Sequence, residues 1–265
     1  MSTGGITKVV LLGAGNLSAH LGPALVRQRI SVLQVYNRSM KPAKNLAGKI
    51  GAEWTDRLDH ITHKADLYII AVSDSAIPEI ASMLRLKDRL VVHTSGSISM
   101  EILKPVSSHY GVLYPLQTFS LRHRTNFKTC PICIEANTRA GEDKLLKCTA
   151  VLSQNVQRIN SDQRKVLHIT AVFASNFTNF MYTIAEDILR SHGLPFSLLE
   201  PLIKQTAGNA RDEHVFRNQT GPAIREDLRI IETHLEMLAK DDFYREIYDL
   251  ISKNIIKYKK AHVKL

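Results

Sequence analysis

The sequence is poor in cysteine and has no long apolar run. Only 3 of its 265 residues are Cys. An odd number without a secretory signal argues against a disulfide framework and for a reducing compartment. The first apolar run, residues 9–12, is too short for a signal peptide. No stretch approaches the ~20 apolar residues of a membrane-spanning helix. We therefore expect a cytoplasmic protein without a membrane span.

Several catalytic and metal-binding motifs are also absent. The chain contains no His-Glu-x-x-His, Gly-x-Ser-x-Gly or Walker pattern, which argues against zinc peptidase, hydrolase and P-loop chemistry. Cys130 and Cys133 have thioredoxin-like spacing, but a redox pair needs its first cysteine at a helix N-terminus. Their flanks are predicted as a strand, which directs the two side chains to opposite faces. We expect structural cysteines and no metal site.

Positive charge is spread unevenly along the chain, whose formal net charge is +10. Residues 1–125 carry 15 Lys and Arg against 8 Asp and Glu, and residues 253–265 contribute five lysines and no acid. The charged segments contain no RNA- or DNA-binding signature of interleaved aromatic and basic residues. We expect a solvated basic tail and no specific nucleic-acid partner, although weak nonspecific binding would follow from the charge.

The most informative segment is a glycine-rich turn near the N-terminus. An apolar strand over residues 8–12 leads into Gly13, which permits a tight turn, and Gly15, which lets the backbone approach a pyrophosphate at a helix N-terminus. The third position of the Gly-x-Gly-x-x-Gly pattern is Ser18, which is small enough for close helix–strand packing. The residues expected on the dinucleotide here are Gly13, Gly15, Asn16 and Leu17.

The end of the second predicted strand indicates which dinucleotide. An NAD site usually places Asp or Glu about 20 residues after the glycines, but no acidic residue occurs from Ser31 to Ala52. Arg38, with Ser39 nearby, suits a dianionic 2′-phosphate. NADP is therefore predicted over NAD, bound by Asn37, Arg38 and Ser39. The alternative is a solvated basic loop after an ordinary strand.

The alternation of strands and helices in the first half predicts the fold class. Nearly all-apolar runs at residues 66–72 and 90–93 are typical of parallel strands covered on both faces. Right-handed crossovers then give a doubly wound sheet, whose ligand lies beyond the carboxyl ends of the strands. The further strand-end residues expected on the cofactor are Val72, Ser73, Asp74 and Ser95. The helices predicted in this half include 43–50, 56–64, 76–84 and 141–153.

The second half is predicted to be all helical. The chain is long enough for two domains. We predict an α/β protein with a doubly wound, Rossmann-type parallel sheet, followed by an all-helical C-terminal domain. The dinucleotide-binding domain is predicted over 1–157 and a helical substrate or dimerisation domain over 158–265. The helices expected after Asp162 span 162–191, 195–210, 221–239 and 242–260.

A narrow polar stripe marks the first of these helices. At ~100° per residue, His168, Ser175 and Asn179 fall close to one line, beside Asn176, on an otherwise largely apolar helix. A histidine there can exchange the proton that accompanies hydride transfer, and amides can hold a carbonyl. We predict catalytic roles for His168, Asn176 and Asn179; the alternative is structural hydrogen bonding at a helix contact. Arg225 is a candidate clamp for a substrate carboxylate, or a partner of its acidic neighbours.

Seven segments taken together resemble a bacterial family that joins a Rossmann-like domain to a C-terminal helical domain of unassigned function. That arrangement is 6-phosphogluconate-dehydrogenase-like, and it is similar to pyrroline-5-carboxylate reductase and the deazaflavin-dependent NADP reductases. The matching segments are Gly-Ala-Gly-Asn at 13–16, Tyr-Asn-Arg-Ser at 36–39, Ala-Val-Ser-Asp at 71–74, His-Thr-Ser-Gly-Ser at 93–97, Tyr-Pro-Leu-Gln-Thr-Phe-Ser at 114–120, Ala-Ser-Asn-Phe-Thr-Asn at 174–179 and Gln-Thr-Gly-Pro-Ala-Ile-Arg-Glu-Asp at 219–227.

The resemblance implies an NADP-dependent oxidoreductase that passes a hydride between NADP(H) and a small carbonyl or imine compound in the cleft between the domains. It also implies a homodimer formed through the helical domain, and it adds Gln117 to the candidate substrate contacts. Two features depart from related enzymes: Pro23 predicts a kink in the first crossover helix, and Lys165 lies off the stripe that carries His168. The rival interpretation is a dinucleotide-binding sensor or regulatory protein without turnover.

Overall fold

The computed structural model describes residues 5–211 and 214–262. They form two compact units, the first ending at Asn176 and the second beginning at Phe177. The division falls in a single turn of π-helix, Val172–Phe177, that joins two α-helices. The sequence-based boundary after residue 157 stays a prediction.

One sheet of eight strands organises the first unit. Its order is β3-β2-β1-β4-β5-β6-β7-β8. Strands β1 to β6 run parallel, β7 is antiparallel to β6, and β8 is parallel to β7. The predicted doubly wound sheet is confirmed. The strands are β1 Lys8–Leu12, β2 Ser31–Tyr36, β3 Glu53–Thr55, β4 Leu67–Ile70, β5 Lys87–His93, β6 Ser107–Pro115, β7 Ile132–Ala136 and β8 Val156–Arg158.

Apolar side chains of the central strands alternate between two cores. Val9 and Leu11 of β1 belong to one buried cluster, and Val10 and Leu12 belong to a second. Both faces of the sheet are therefore covered, which explains why these strands are continuously apolar. The helices of the first unit are α1 Asn16–Arg27, α2 Met40–Ile50, α3 Ile77–Met83, α4 Arg139–Ala150 and α5 Ser161–Ala171.

Two predictions in the first unit concern its helices. The helix predicted over 56–64 is wrong: this range contains only a short 3₁₀ turn, Leu58–His60, which follows the edge strand β3. Gln34 of β2 holds the segment by donating to the His60 carbonyl at 3.0 Å and accepting from the Thr62 N–H at 2.9 Å, so contacts with the sheet override local helix propensity. Helix α1 continues through Pro23.

The second unit is helical, as predicted, but one expected helix is interrupted. The predicted helix 221–239 breaks at Glu226, which has a positive φ of 57°. Asp227 then caps the next helix by accepting a hydrogen bond from the Ile230 N–H at 3.3 Å. Within the described part of the chain, no helix has the length and apolar character to cross a membrane. The helices are α6 Thr178–Ser191, α7 Glu200–Asn209, α8 Pro222–Arg225, α9 Leu228–Met237 and α10 Asp242–His262.

The basic tail is partly tied down. Lys259 and Lys260 of α10 both contact the Glu226 carboxylate at 3.1 Å, and they hold its pKa below the usual range. The Lys260 side chain is still 64% exposed, as expected for a solvated tail, whereas that of Lys259 is 26% exposed, so the expectation is corrected at Lys259. Residues 263–265 of the predicted tail lie outside the described residues.

Candidate functional site

Gly13 joins three strands at the switch point of the sheet. It follows β1 with φ +117°, and its N–H donates to the Tyr36 carbonyl at 2.7 Å. A Cβ at this position would lie 2.2 Å from the Ala71 carbonyl oxygen. Only glycine fits both the backbone conformation and the close approach of β4.

The N-terminus of α1 is open beside this turn. Gly15 is its N-cap, no side chain caps the helix, and its first turn has no acidic residue. A Cβ on Gly15 would meet nothing within 4 Å. The N–H groups of the first turn lack intrahelical partners and form the positive end of the helix dipole, so this end of α1 can bind an anion. Ser18 is fully buried, consistent with the predicted close packing of helix on strand.

A cavity of about 640 Å³ opens at the carboxyl ends of β1, β2, β4 and β5. This is where ligands bind in doubly wound sheets. Nine of the eleven predicted cofactor residues line it: Gly13, Gly15, Asn16, Leu17, Asn37, Arg38, Ser39, Val72 and Ser73. Thr94, which follows the β5 strand in the predicted strand-end segment 93–96, also lines it, and lining residues that were not predicted include Tyr36, Leu58, Ala71, Ser75 and Glu79.

The cavity carries one cation and one carboxylate among its described lining residues, Arg38 and Glu79. Ser39 caps α2 without a side-chain hydrogen bond, and the first turn of α2 has no acidic residue. Arg38 therefore lies beside a second open helix N-terminus, an arrangement that favours an anion there. Burial and then the Glu79 carboxylate raise the pKa of Tyr36, and the Arg38 guanidinium opposes them, so both charges act on this end of the cavity.

Asn37 connects the two anion-binding ends of the cavity. Its side-chain oxygen accepts from the Ala14 N–H at 3.2 Å, and its side-chain amide donates to the Ser39 carbonyl at 3.0 Å. The amide of Asn16 similarly donates to the Phe119 carbonyl at 3.1 Å. Both side chains thus support the loops of the cavity, and their direct contact with a cofactor stays a prediction.

Asp74 and Ser95 lie outside the cavity lining. Ser95 is in the loop after β5, and Asp74, which follows β4, lies beside that loop. Ser97 donates its hydroxyl proton to Asp74 at 2.5 Å. The Ser95 hydroxyl oxygen accepts from the N–H groups of Ser97, at 3.1 Å, and Ile98, at 3.0 Å. These contacts shape the loop that carries Thr94 and Gly96, and contact of Asp74 or Ser95 with a cofactor stays a prediction.

His168 lies against that same loop and beside strand β6. Its Nδ1 is 3.1 Å from the Tyr114 hydroxyl, and the two rings meet edge to face at 72°. A Cβ on Gly96 would come within 2.5 Å of Nδ1. Burial raises the pKa of Tyr114. Tyr114 was not among the predicted site residues; the available signal was its place at the end of β6, inside a segment that matches the family.

Arg164, one helical turn before His168, anchors α5 to the sheet. Its side chain is 1% exposed and forms an ion pair with Glu135 of β7. The same guanidinium donates to the Ile98 carbonyl at 2.5 Å and to the Ser161 hydroxyl at 3.2 Å. A buried, multiply bonded arginine fixes the helix strongly, and it contacts the loop that carries Gly96.

The remaining candidates in the first unit are exposed. Gln117 accepts from the Thr118 N–H at 2.9 Å, Thr118 contacts the Ser175 hydroxyl at 3.0 Å, and Asn176 is solvent-exposed. Ser175 and Asn176 lie in the π turn, where the constant 100° step behind the predicted stripe does not hold. That step therefore does not align His168, Ser175 and Asn179.

Asn179 and Arg225 belong to the helical unit. Asn179 lines a cavity of about 360 Å³ with Tyr182, Glu186 and Glu200. Arg225 is exposed, and no ion pair of its side chain is found among the described residues. Its acidic neighbour Glu226 instead pairs with lysines of α10, so the alternative role predicted for Arg225 is not observed.

All three cysteines are free and buried. Burial raises the pKa of Cys130 to about 11 and that of Cys148 to about 12. Thiols with raised pKa are poor nucleophiles, which agrees with the predicted structural role. Cys130 precedes β7 instead of lying within it, whereas Cys133 is in the strand.

Two domain-family models and several solved structures match this chain. A Rossmann-like domain model matches residues 4–118, and a model of a domain of unknown function, DUF2520, matches residues 130–255. A structure from Bacteroides fragilis, provisionally named an NADP oxidoreductase, is 41% identical with a TM-score of 0.90, covering 95% of this chain and 98% of that one. The chain belongs to the DUF2520 family. The predicted resemblance is confirmed.

Other solved structures share the fold with this DUF2520 protein. A Thermotoga maritima protein is 25% identical with a TM-score of 0.75, covering 94% of this chain and 99% of that one. An imine reductase from Myxococcus stipitatus, in complex with NADP+, is 17% identical with a TM-score of 0.69, covering 96% and 95%. At that identity the likeness shows the fold alone. A search among curated proteins finds no match.

Proposed function

We propose that this DUF2520 protein is an NADP-dependent oxidoreductase that transfers a hydride between NADP(H) and a small carbonyl or imine compound. The observation that carries the proposal is the cavity at the switch point, with the open N-terminus of α1 at one place and Arg38 at another. The solved structures of similar fold include an imine reductase in complex with NADP+, which supports the same class.

The residues present fit NADP. The first turn of α1, beside Gly15, would hold the pyrophosphate, because its N–H groups are uncapped and no side chain fills the space. Arg38, Ser39 and the N-terminus of α2 would hold the 2′-phosphate through charge-assisted hydrogen bonds. Asn37 would fix the distance between these two sites through its hydrogen bonds to the Ala14 N–H and the Ser39 carbonyl.

The reduced nicotinamide supplies a hydride when the cofactor is bound. The contribution proposed for this chain is a proton from His168, which lies against Gly96, two residues beyond the cavity-lining Thr94. Asn176, Asn179, Gln117 and Arg225 as substrate contacts, and a substrate between the domains, stay predictions.

Titration with NADPH, NADH and their oxidised forms, followed by nicotinamide fluorescence, tests the cofactor. Loss of charge-assisted bonds to the 2′-phosphate should weaken NADPH binding by roughly 10- to 100-fold in Arg38→Ala, with little change for NADH. Lys49→Ala, in the last turn of α2, the helix that follows Arg38, is the matched control and should bind NADPH as the wild type does. Equal losses for NADPH and NADH would contradict the 2′-phosphate role of Arg38.

Turnover separates an enzyme from a sensor. If NADPH binds with micromolar affinity, a panel of carbonyl and imine compounds should include substrates whose reduction His168→Gln slows at unchanged NADPH affinity. Binding without any turnover would favour the dinucleotide sensor. No binding of any nicotinamide dinucleotide would refute both interpretations.

We further propose a cytoplasmic homodimer that pairs through the helical unit. The three buried free thiols support a reducing compartment. In the described part of that unit the buried residues are only Ala223, Ile231 and Ser252. A unit that buries so little of its own apolar surface gains stability by covering that surface with another chain. Its exposed apolar side chains include Leu198, Leu202, Leu228, Met237, Phe243 and Leu250.

A further inference from the structure

We propose that Tyr114 is a positioning residue that engages Nδ1 of His168 and thereby reserves Nε2 as the nitrogen that exchanges a proton with the substrate. The inference rests on the proposed oxidoreductase function, which it deepens. Tyr114 was not among the candidate site residues, and it is separated from His168 by 54 positions in the chain.

The contact is held from two sides. Tyr114 lies at the end of β6, and its hydroxyl is 3.1 Å from Nδ1. Gly96, in the loop after β5, faces the same ring: a Cβ there would lie 2.5 Å from Nδ1 and 2.7 Å from Cγ. The Nδ1 edge of the imidazole is therefore enclosed by protein, and the absence of a side chain at Gly96 makes the room for it.

The backbone on either side of this contact is fixed. Arg164 lies one turn before His168 on α5, and its buried guanidinium binds Glu135 of β7 and the carbonyl of Ile98. Ile98 follows Gly96 by two residues, and its N–H donates to the Ser95 hydroxyl at 3.0 Å. The helix that carries His168 and the loop that carries Gly96 are thus held together independently of Tyr114.

Tyr114 can partner Nδ1 in either charge state of the imidazole. Burial raises the pKa of its phenol, so the hydroxyl stays neutral, and a neutral hydroxyl both donates and accepts. It accepts from Nδ1–H when the ring is protonated, and it keeps that bond after Nε2 has released its proton. The proton that is transferred therefore leaves from Nε2, while Nδ1–H stays hydrogen-bonded to the Tyr114 oxygen.

The proposed step balances for a carbonyl or imine substrate. The carbon of the C=O or C=N bond takes the hydride that the reduced nicotinamide supplies, and the π bond breaks. The oxygen or nitrogen takes the proton from Nε2 of His168. The substrate is reduced, the nicotinamide is oxidised, and His168 is left neutral with Nδ1–H donated to the Tyr114 oxygen. A proton from the bulk solvent then reprotonates Nε2, so the cycle consumes one solvent proton.

Long-range ¹H–¹⁵N correlation spectra of the full-length, cofactor-free protein test the contact without relying on activity. The His168 ring resonances are assigned by their loss in His168→Gln. Tyr114→Phe should shift the Nδ1 resonance of His168 and leave Nε2 much closer to its wild-type position. Tyr110→Phe is the matched control on the same strand, because its hydroxyl bonds to Glu101 at 2.9 Å instead. It should move neither resonance.

Kinetics then connect the contact to proton transfer. Tyr114→Phe should lower kcat by roughly two- to tenfold, the loss expected for one hydrogen bond, at unchanged NADPH affinity. Turnover with a wild-type Nδ1 resonance in Tyr114→Phe would overturn this inference alone. NADPH binding without turnover of any carbonyl or imine compound would overturn the proposed function and, with it, the role of Nε2.

The enclosure of the ring by Gly96 is tested in the same spectra. Gly96→Ala should shift the resonances of both ring nitrogens of His168, whereas Gly48→Ala, in open space on α2, should shift neither.

Discussion

His93 is a buried histidine at the end of β5 that the proposed chemistry does not use. Its Nδ1 accepts from the Ser95 N–H at 3.2 Å, and its Nε2 has no hydrogen-bond partner among the described residues. Burial lowers its pKa to about 4, and the Arg164 guanidinium contributes in the same direction. A histidine kept neutral in this way supports the cavity loop, but it makes the fold sensitive to acid.

Stability should therefore fall as the pH drops from about 6.5 toward about 4. In this window the unfolded chain binds a proton at His93 and the folded chain does not. The free energy of unfolding therefore falls by up to ~3 kcal/mol. Urea unfolding at pH 7 and pH 5 measures the loss, which should shrink in His93→Asn. An unchanged pH dependence in that variant would assign the acid sensitivity to other groups.

The glycine turn between β1 and α1 combines two glycines with different roles. Gly13 is needed by the protein itself, because its φ is positive and a Cβ there would lie 2.2 Å from the Ala71 carbonyl oxygen. Gly15 has φ −80° and open space around a Cβ, so the folded protein alone does not need glycine there. Only a ligand that approaches the backbone needs it.

The two glycines should separate stability from binding. Gly13→Ala should lower the free energy of unfolding by more than ~1–3 kcal/mol, because it adds backbone strain and a clash. Gly15→Ala should keep wild-type stability and lose dinucleotide affinity. Thermal unfolding and NADPH titration distinguish the two effects. Gly48→Ala, in the interior of α2, is the control and should gain up to ~1 kcal/mol without affecting binding. Wild-type NADPH affinity in Gly15→Ala would argue against a pyrophosphate at α1.

In the whole molecule, the exposed apolar surface of the helical unit predicts that two chains associate. Leu250 of α10 is 63% exposed and Met237 is 74% exposed, which is unusual for large apolar side chains that no partner covers. Sedimentation of the full-length protein should therefore give the mass of two chains. Leu250→Glu should shift the equilibrium toward a single chain. Lys240→Glu, a charge change at an already charged position, is the control and should stay dimeric. A wild-type protein that sediments as one chain at micromolar concentration would refute the proposed dimer.

Several features followed from the sequence alone. The apolar strand, Gly13 and Gly15 predicted the turn, because the sterics of a tight turn and a helix N-terminus are local. The apolar runs at 66–72 and 90–93 predicted parallel strands, because burial on both faces leaves its mark in each strand. The missing carboxylate between Ser31 and Ala52, together with Arg38, predicts NADP from equally local chemistry, and that cofactor stays a proposal.

Other features were decided only by the tertiary structure. The segment 56–64 does not form the predicted helix because Gln34 of β2 binds the backbone of His60 and Thr62, and the π turn disturbs a stripe derived from regular helix geometry. Tyr114 meets His168 because the order of the sheet brings β6 beside β5, whose following loop carries Gly96. Backbone periodicity and glycine sterics act between neighbouring residues and are written in the sequence. Contacts across elements depend on strand order and packing, which no local pattern of this chain specifies.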